Sequence, residues 1–385
     1  MSSSLPPSSS ASSPGPVRRP EIVSPEIVSV VVATPVAGCF DYIVAEHLSV
    51  VAGSVVMVPF GNRRLPGIVL GPGSGDVAVE KLRCLEDVSA VPALPAALIP
   101  FMQRFADWTL APLGAVAKMI LSQPAALAPA ALQKRFFRPE SLPAKQRMTP
   151  ARQRVLGALA DGAHLTAKDL SVAADASPAV IAAMAAQGLL GVDHVAQDQP
   201  PAVPRCDLPG LTLTAAQATA AADLSAMIGR GFATTLLDGV TGSGKTEVYF
   251  EAVKTAVQAG QQVLILLPEI ALSAAWRSRF AARFGVSPVE WHSDVSAAQN
   301  RRAWRFALPG QLSVVVGARS ALFLPFQNLG LIIVDEEHEH AFKQEDQVIY
   351  QARDMAVLRA RIENCPIILA SATPSLESWV NAGGT

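Results

Sequence analysis

Residues 239–246, spelled Gly239-Val240-Thr241-Gly242-Ser243-Gly244-Lys245-Thr246, constrain this chain more than any other stretch. A short apolar run, residues 235–238, precedes them and reads as a strand. Residues 247–254 follow with apolar positions at helical spacing. Strand, glycine-rich turn and helix in that order form the setting of a phosphate-binding loop. The glycines let successive backbone N–H groups turn inward on a polyphosphate, and the new helix adds its unpaired amides and positive dipole end. Lys245 is placed to reach β- and γ-phosphates, and the Thr246 hydroxyl to ligand Mg²⁺. The competing reading is a plain glycine-rich turn, and the full motif in its strand–helix setting outweighs it. The sequence implies a nucleoside triphosphate site.

From residue 211 onward, strands and helices alternate. Apolar runs at 262–268, 288–292, 312–317, 331–338 and 366–373 read as strands, with helices at 271–284, 297–307 and 353–363. That order predicts an α/β fold, a parallel sheet with helices on both faces. Open α/β sheets bind ligands at the carboxyl ends of their strands. Asp335 closes one apolar run, where a carboxylate can hold Mg²⁺ through its coordinated water. Glu336 beside it is placed to orient and deprotonate an attacking water. A merely solvated charge run at 335–338 is the rival reading, and the phosphate loop upstream tips the balance. Ser371 and Thr373 at the end of the last strand are placed to feel a γ-phosphate, with an ordinary turn before Pro374 as the rival reading, and Glu337 and His338 are grouped with them as coupling residues. Gln217 can read the hydrogen-bonding edge of adenine, yet Thr214-Ala-Ala-Gln217 is also a helix capping box. The two roles are compatible.

The chain has 385 residues, so about three domains are expected. Its formal net charge of −1 gives no bulk attraction for a polyanion, so any nucleic-acid contact must use local patches. Cys39, Cys84, Cys206 and Cys365 are far apart and form no CxxC pair, which argues against a zinc site here and against a disulfide framework. No apolar run is long enough to span a membrane, and the N-terminus does not read as a signal peptide. A soluble, cytoplasmic protein without a membrane partner is expected. Residues 1–25 are rich in Ser, Pro and Ala and read as a disordered tail. Residues 26–124 carry short strands around 27–33, 39–44, 54–59 and 65–70 and end in a helix at 98–110, which suggests a small β-rich domain. Residues 125–147 read as a linker. Residues 148–196 hold three short helices and a strand, fitting a winged-helix module or a helical spacer equally well. Residues 197–210 are a second, proline-rich linker, and residues 211–385 are the α/β lobe.

The order of stretches 214–217, 239–246, 268–270, 317–320, 335–338 and 371–373 resembles the first RecA-like motor lobe of superfamily 2 helicases. Residues 236–249, 267–270, 316–323 and 335–338, together with Lys343-Gln344 and Ala352-Arg-Asp354, are similar to the narrower primosomal protein N′ family of replication-restart helicases. Phe40-Asp-Tyr42 and Val58-Pro-Phe-Gly61 extend the likeness to the β-rich domain. The resemblance implies an ATP- and Mg²⁺-dependent 3′-to-5′ DNA helicase acting in primosome assembly at stalled forks. Its partners would be branched or single-stranded DNA with a free 3′ end, other primosome proteins and single-stranded-DNA-binding protein. The family's 3′-end pocket would fall on Phe40, Asp41, Tyr42, Gly61 and Arg83, and Arg319 becomes a contact to the translocated strand. An aromatic can stack on the last base, and Asp41 can accept a hydrogen bond from a free 3′-hydroxyl. Ordinary strand packing is the competing account of Phe40 and Tyr42.

Two departures from the family pattern stand out. In the aromatic-rich loop before Arg353, Phe342 and Tyr350 are kept while Val348 stands where an aromatic is expected. The family's second lobe, with its arginine finger and cysteine-rich zinc-binding insertion, has no counterpart up to Thr385. The expectation is an N-terminal portion of the helicase that binds nucleotide and DNA with impaired turnover, zinc belonging only to the part beyond. Two alternatives stay open: a DNA-end-binding and partner-docking module with an idle nucleotide site, or another superfamily 2 translocase.

Overall fold

A computed structural model describes residues 26–130, 132–143, 147–196, 198–268 and 271–383. The expected disordered tail lies outside the described residues, as do Glu269 and Ile270 of the stretch at 268–270.

The β-rich domain is one six-stranded sheet. Its strands are β1 (Ile27–Val32), β2 (Phe40–Ile43), β3 (Val55–Phe60), β4 (Arg63–Pro72), β5 (Arg83–Cys84) and β6 (Asp87–Val88), in spatial order β5-β2-β1-β4-β3-β6. Alternate valines, among them Val28, Val30, Val32, Val56 and Val58, point to one face and close a core with Tyr42 and Val69. Helices α1 (Leu98–Thr109), α2 (Leu113–Ile120) and α3 (Pro124–Leu127) follow. These helices do not serve the sheet alone. Phe101 and Phe105 of α1 pack on Phe323, ring centroids 6.0 and 5.1 Å apart, within one core shared with the α/β lobe.

The stretch expected to be a linker at 125–147 is corrected by the structure. It carries α3 and a strand, β7 (Leu132–Phe137), the centre of a three-stranded sheet with β8 (Leu165–Thr166) and β9 (Gly191–Ala196). Its Gln133, Lys134 and Arg135 gave it a polar, loop-like composition, but Phe136 is buried in the module's core. Helices α4 (Pro150–Gly157), α5 (Ala167–Ala173) and α6 (Pro178–Ala186) complete the module. Thr149 and Thr166 cap the first two by accepting from Arg152 N and Asp169 N. Three helices on a three-stranded antiparallel sheet match the winged-helix reading rather than a helical spacer.

The α/β lobe opens with α7 (Ala215–Ala226) and β10 (Thr234–Asp238), then α8 (Lys245–Gln258), β11 (Gln262–Leu266), α9 (Ala274–Phe284), β12 (Val289–Trp291) and α10 (Ala297–Ala307). It continues through β13 (Val314–Gly317), β14 (Leu329–Asp335), the small hairpin β15 (Lys343–Gln344) and β16 (Tyr350–Gln351), α11 (Ala352–Glu363), β17 (Ile367–Ser371) and α12 (Leu376–Asn381). Six strands run parallel in the order β10-β17-β14-β11-β13-β12. Every residue of β11, β13, β14 and β17 is buried, as a sheet covered on both sides requires. Val263, Ile265, Ile333 and Ile368 face α7, α8 and α9, while Leu264, Leu266, Ile332 and Leu369 face α10, α11 and the three helices of the β-rich domain.

Polar contacts reinforce that shared face. Trp304 of α10 donates to Ile120 O at 2.8 Å, and Arg305 donates to Ala128 O at 2.8 Å. Arg359, fully buried, donates to the Leu322 and Leu324 carbonyls and lies over the Phe101 and Phe326 rings. The proline-rich stretch before α7 is likewise strapped to the lobe. Asp198 pairs with Arg301 and Arg305, and Arg283 donates to Leu208 O at 2.7 Å. Among the described residues no single helix is long and apolar enough to cross a membrane.

Candidate functional site

The glycine loop joins β10 to α8. Gly244 caps α8 with φ +84°, and a Cβ there would lie 2.6 Å from Gln217 Nε2, so only glycine fits. Gln217 is held at both ends of its amide. Its Oε1 accepts from Thr214 N at 2.8 Å, and its Nε2 donates to Ser243 O at 2.8 Å. The capping box is therefore real, and the same side chain fastens α7 to the loop. Lys245 is nearly buried and donates from Nζ to Gly239 O at 2.7 Å. Gly239 N in turn donates to Ser371 O at 3.2 Å, which ties the loop to the end of β17. Val240 and Thr241 sit exposed at the loop's outer rim.

Asp335 ends β14 on the same rim, 6% exposed. Its Oδ2 accepts from the Tyr249 hydroxyl at 2.8 Å and its Oδ1 from Glu336 N at 3.1 Å. Burial pushes its carboxyl up to about 6, and neighbouring Glu336 adds to this. The Tyr249 hydrogen bond, the Glu336 amide and the Lys245 ammonium pull it back down. The phosphate loop and the acidic strand end are linked through their neighbours: Tyr249, on the helix that Lys245 opens, donates to Asp335, and Gly239 N donates to the carbonyl of Ser371 on the strand beside β14. Glu336 holds φ +53°, a left-handed conformation that a glutamate rarely adopts and that surrounding contacts must enforce. Two of those contacts are Glu337 N to Ala370 O at 3.1 Å and Glu339 N to Glu336 O at 2.9 Å.

The next two residues run into the neighbouring strand and its loop. His338 Nδ1 and Ser371 Oγ share a hydrogen bond of 2.8 Å, and Ser371 Oγ also accepts from Thr373 N at 3.1 Å. Glu337 is fully buried. It accepts from Ser375 N at 2.7 Å, Ser378 Oγ at 2.9 Å and Arg353 Nη1 at 3.1 Å. Burial alone would raise its carboxyl; those donors outweigh it and hold the group below the ordinary carboxylate range. Asp335, Glu336, Glu337, His338, Ser371 and Thr373 thus form one connected shelf beside the loop. Arg353, Ser375 and Ser378 belong to that shelf; Arg353 was noted from sequence only within a family-like stretch and the two serines not at all, because buried partners of a carboxylate leave no local spacing signal.

The expected DNA residues fall into two places. Phe40, Asp41, Tyr42, Gly61 and Arg83 all line one cavity of about 400 Å³ in the β-rich domain. Arg83 Nη1 donates to Gly61 O at 3.0 Å. Asp41 Oδ2 accepts from Ser74 N and Ser74 Oγ, both at 2.8 Å, and from Gly75 N at 3.2 Å. Tyr42 is buried in the sheet core and donates to Pro59 O at 3.2 Å, so strand packing accounts for its ring. Phe40 is half-buried and meets Phe60 edge-on at 5.1 Å; Phe60, the last residue of β3, lines the same cavity and was given no role from sequence. Arg319 lies apart, beside β13, where its guanidinium donates to Lys343 O. In the loop that follows, Phe342, Val348 and Tyr350 are all buried, and Tyr350 packs on Phe105 at 5.1 Å.

Comparison with known proteins separates the chain into two recognised parts. Residues 29–122 match the PriA 3′DNA-binding domain (3′BD), and residues 214–381 match the DEAD/DEAH box helicase family. Along the whole, replication restart protein PriA of Haemophilus influenzae is 34% identical over 373 residues, 92% of this chain and 50% of that protein. The chain is a relative of PriA. The PriA proteins of Rickettsia typhi and Synechocystis are 53% identical over 147 residues and 41% identical over 222 residues. Those alignments cover 38% and 57% of this chain, and 23% and 26% of the two relatives. The chain thus spans half or less of the length of these relatives. Among solved structures, the Pyrococcus furiosus Hef helicase domain is 20% identical over 47% of this chain and 39% of its own, with a TM-score of 0.33. The two matched segments hold the cavity of Phe40 and Asp41 and the loop of Lys245 respectively.

Proposed function

We propose that this chain binds ATP with Mg²⁺ on the loop of residues 239–246 and a DNA 3′ end in the cavity at Phe40 and Asp41. In this reading it serves as part of an ATP-dependent 3′-to-5′ DNA helicase of replication restart. The observation that carries the reading is that buried Asp335 is hydrogen-bonded by Tyr249 of the helix that Lys245 opens, beside a loop whose glycines leave the backbone open. The residues fit a metal–triphosphate: main-chain amides and one ammonium for the phosphates, and a hydroxyl and a carboxylate for the metal. Gly239, Gly242 and Gly244 let the backbone amides face phosphate oxygens, while Lys245 exchanges the Gly239 carbonyl for the β- and γ-phosphates. Thr246, and Asp335 through a coordinated water, would hold the metal. Bound Mg²⁺ would supply charge neutralisation on the phosphate oxygens. Glu336 orients and deprotonates the attacking water. His338, through Ser371 and Thr373, passes the state of the nucleotide to the segment before α12, and Glu337 anchors that segment through Ser375. Gln217 sets the loop's position and offers its remaining amide valence to adenine.

For DNA, the small cavity favours an end over an internal strand, and Asp41 accepts from the 3′-hydroxyl while Phe40 stacks on the last base. Arg319 contacts the translocated strand. Other primosome proteins and single-stranded-DNA-binding protein are the protein partners of this reading, by analogy with PriA. The test is ATP turnover in the presence of forked DNA whose nascent strand ends in a 3′-hydroxyl or a 3′-phosphate. The reading predicts tighter binding and stronger stimulation with the hydroxyl end, both lost on that end in Asp41→Ala. Equal response to the two ends would contradict the pocket.

A further inference from the structure

Asp335, one of the two residues assigned to the metal, is held by a side chain that has no role so far. Tyr249 lies on α8, three positions after Thr246, so the two share a helix face. Its ring is fully buried among Phe250, Trp276 and the sheet. Its hydroxyl is 2.8 Å from Asp335 Oδ2 and 3.0 Å from Trp276 Nε1.

The chemistry fixes which way these hydrogen bonds run. An indole N–H can only donate, so the Tyr249 oxygen must accept from Trp276. Its single proton is then left for Asp335, whose carboxylate can only accept. We propose that Tyr249 is a positioning residue for the metal site, a phenol whose proton Trp276 directs at Asp335. In this way α8 and α9 fix the rotamer of the carboxylate that ends β14. The inference rests on the Mg²⁺–nucleotide reading above and deepens it. Asp335 is the last residue of its strand, and Glu336 after it holds a left-handed backbone, so main-chain continuity alone fixes the carboxylate poorly. The Glu336 amide holds Oδ1, and Tyr249 adds the second restraint by holding Oδ2. The lone pairs of Asp335 that remain are then left for the metal or its bound water. Thr246, one helical turn earlier on the same face, is brought to the same point.

The arrangement makes a specific division. Removing the phenol oxygen should leave the grip on the phosphates, which belongs to Lys245 and backbone amides, and weaken what the metal adds. The experiment titrates a fluorescent ATP analogue into wild type and Tyr249→Phe, once with Mg²⁺ and once with EDTA. Wild type should bind more tightly with Mg²⁺. Tyr249→Phe should match wild type within about twofold in EDTA and lose about tenfold of the Mg²⁺-dependent gain, on the scale of one charge-assisted hydrogen bond. Raising Mg²⁺ should restore the lost affinity, which it would not do for a misfolded site. Trp276→Phe leaves the phenol in place with its proton undirected and should lose about threefold of the same gain. Tyr249→Phe with the full Mg²⁺ gain, or with an equal loss in EDTA, overturns the positioning role while leaving the nucleotide reading intact. A wild type without any Mg²⁺ gain overturns both.

Discussion

Replacing Asp335 by Asn should stabilise the nucleotide-free protein at neutral pH while abolishing its use of Mg²⁺. The carboxyl is 6% exposed, and its pKa rises from 3.8 to about 6 on folding, chiefly through burial. The folded state therefore holds this proton more tightly than the unfolded chain. The stabilising contribution of the protonated form is complete below pH 3.8 and is lost as pH rises through about 6. At about 1.4 kcal/mol per pKa unit, the ionised carboxylate costs the fold about 3 kcal/mol at neutral pH. Asn removes that penalty but has one acceptor oxygen for two donors, Tyr249 and the Glu336 amide. Losing one of those bonds returns about 1 kcal/mol, leaving a net gain of about 2 kcal/mol. Urea unfolding in EDTA measures it. Near neutral pH Asp335→Asn should unfold at higher urea than wild type, and the advantage should shrink by about two-thirds near pH 5, where most of the wild-type carboxyl is still protonated when folded. A variant less stable than wild type near neutral pH, or an advantage that does not depend on pH, would refute the argument that burial strains this carboxylate.

Other perturbations test the remaining parts of the account. Glu336→Gln should bind ATP as wild type does and lose turnover by about 10²- to 10⁴-fold, the range for a general base, in a steady-state phosphate-release assay. Gly244→Ala forces a side chain into a left-handed position against Gln217 Nε2, and should cost about 1–2 kcal/mol in thermal unfolding as well as nucleotide affinity. Phe105→Ala opens the core shared by α1, Phe323 and Tyr350 and should cost about 3–5 kcal/mol. Because that core joins the β-rich domain to the α/β lobe, calorimetry should show both melting together in wild type. Two separate transitions for these parts in wild type would contradict the shared core.

The legible parts of the fold were those where one residue pattern had one physical outcome. Residues 331–334 are apolar without alternation and end at Asp335, which suits only a strand buried on both faces and opening at its carboxyl end. Thr149, Thr166 and Thr214 mark helix starts because a side-chain oxygen there replaces a missing backbone acceptor. Strand β7 was hidden because Gln133, Lys134 and Arg135 make it polar on both faces, half-buried or exposed, and Phe136 is its one fully buried residue. Helix α1 was placed correctly, but its partner was not readable. The spacing of Phe101 and Phe105 shows that one face is buried, not that Phe323 of a distant segment buries it. The site divides in the same way. Lys245 and Thr246 are fixed by spacing along the chain, whereas Tyr249, Trp276, Arg353 and Ser378 join it through contacts between elements far apart in sequence. Tyr42 shows the reverse: an aromatic in a binding-like motif whose ring the sheet uses for its own core.

The central claim is that a triphosphate is held by the loop amides and Lys245 against the acid at the end of β14. Calorimetric titration of ATP into wild type and Lys245→Ala, with Mg²⁺ present, tests it most directly. The account predicts one site per chain in wild type and a loss of affinity of at least about tenfold in the variant, the scale of one charged hydrogen bond to phosphate. Equal affinity in the two proteins, or heat of binding in neither, would contradict it.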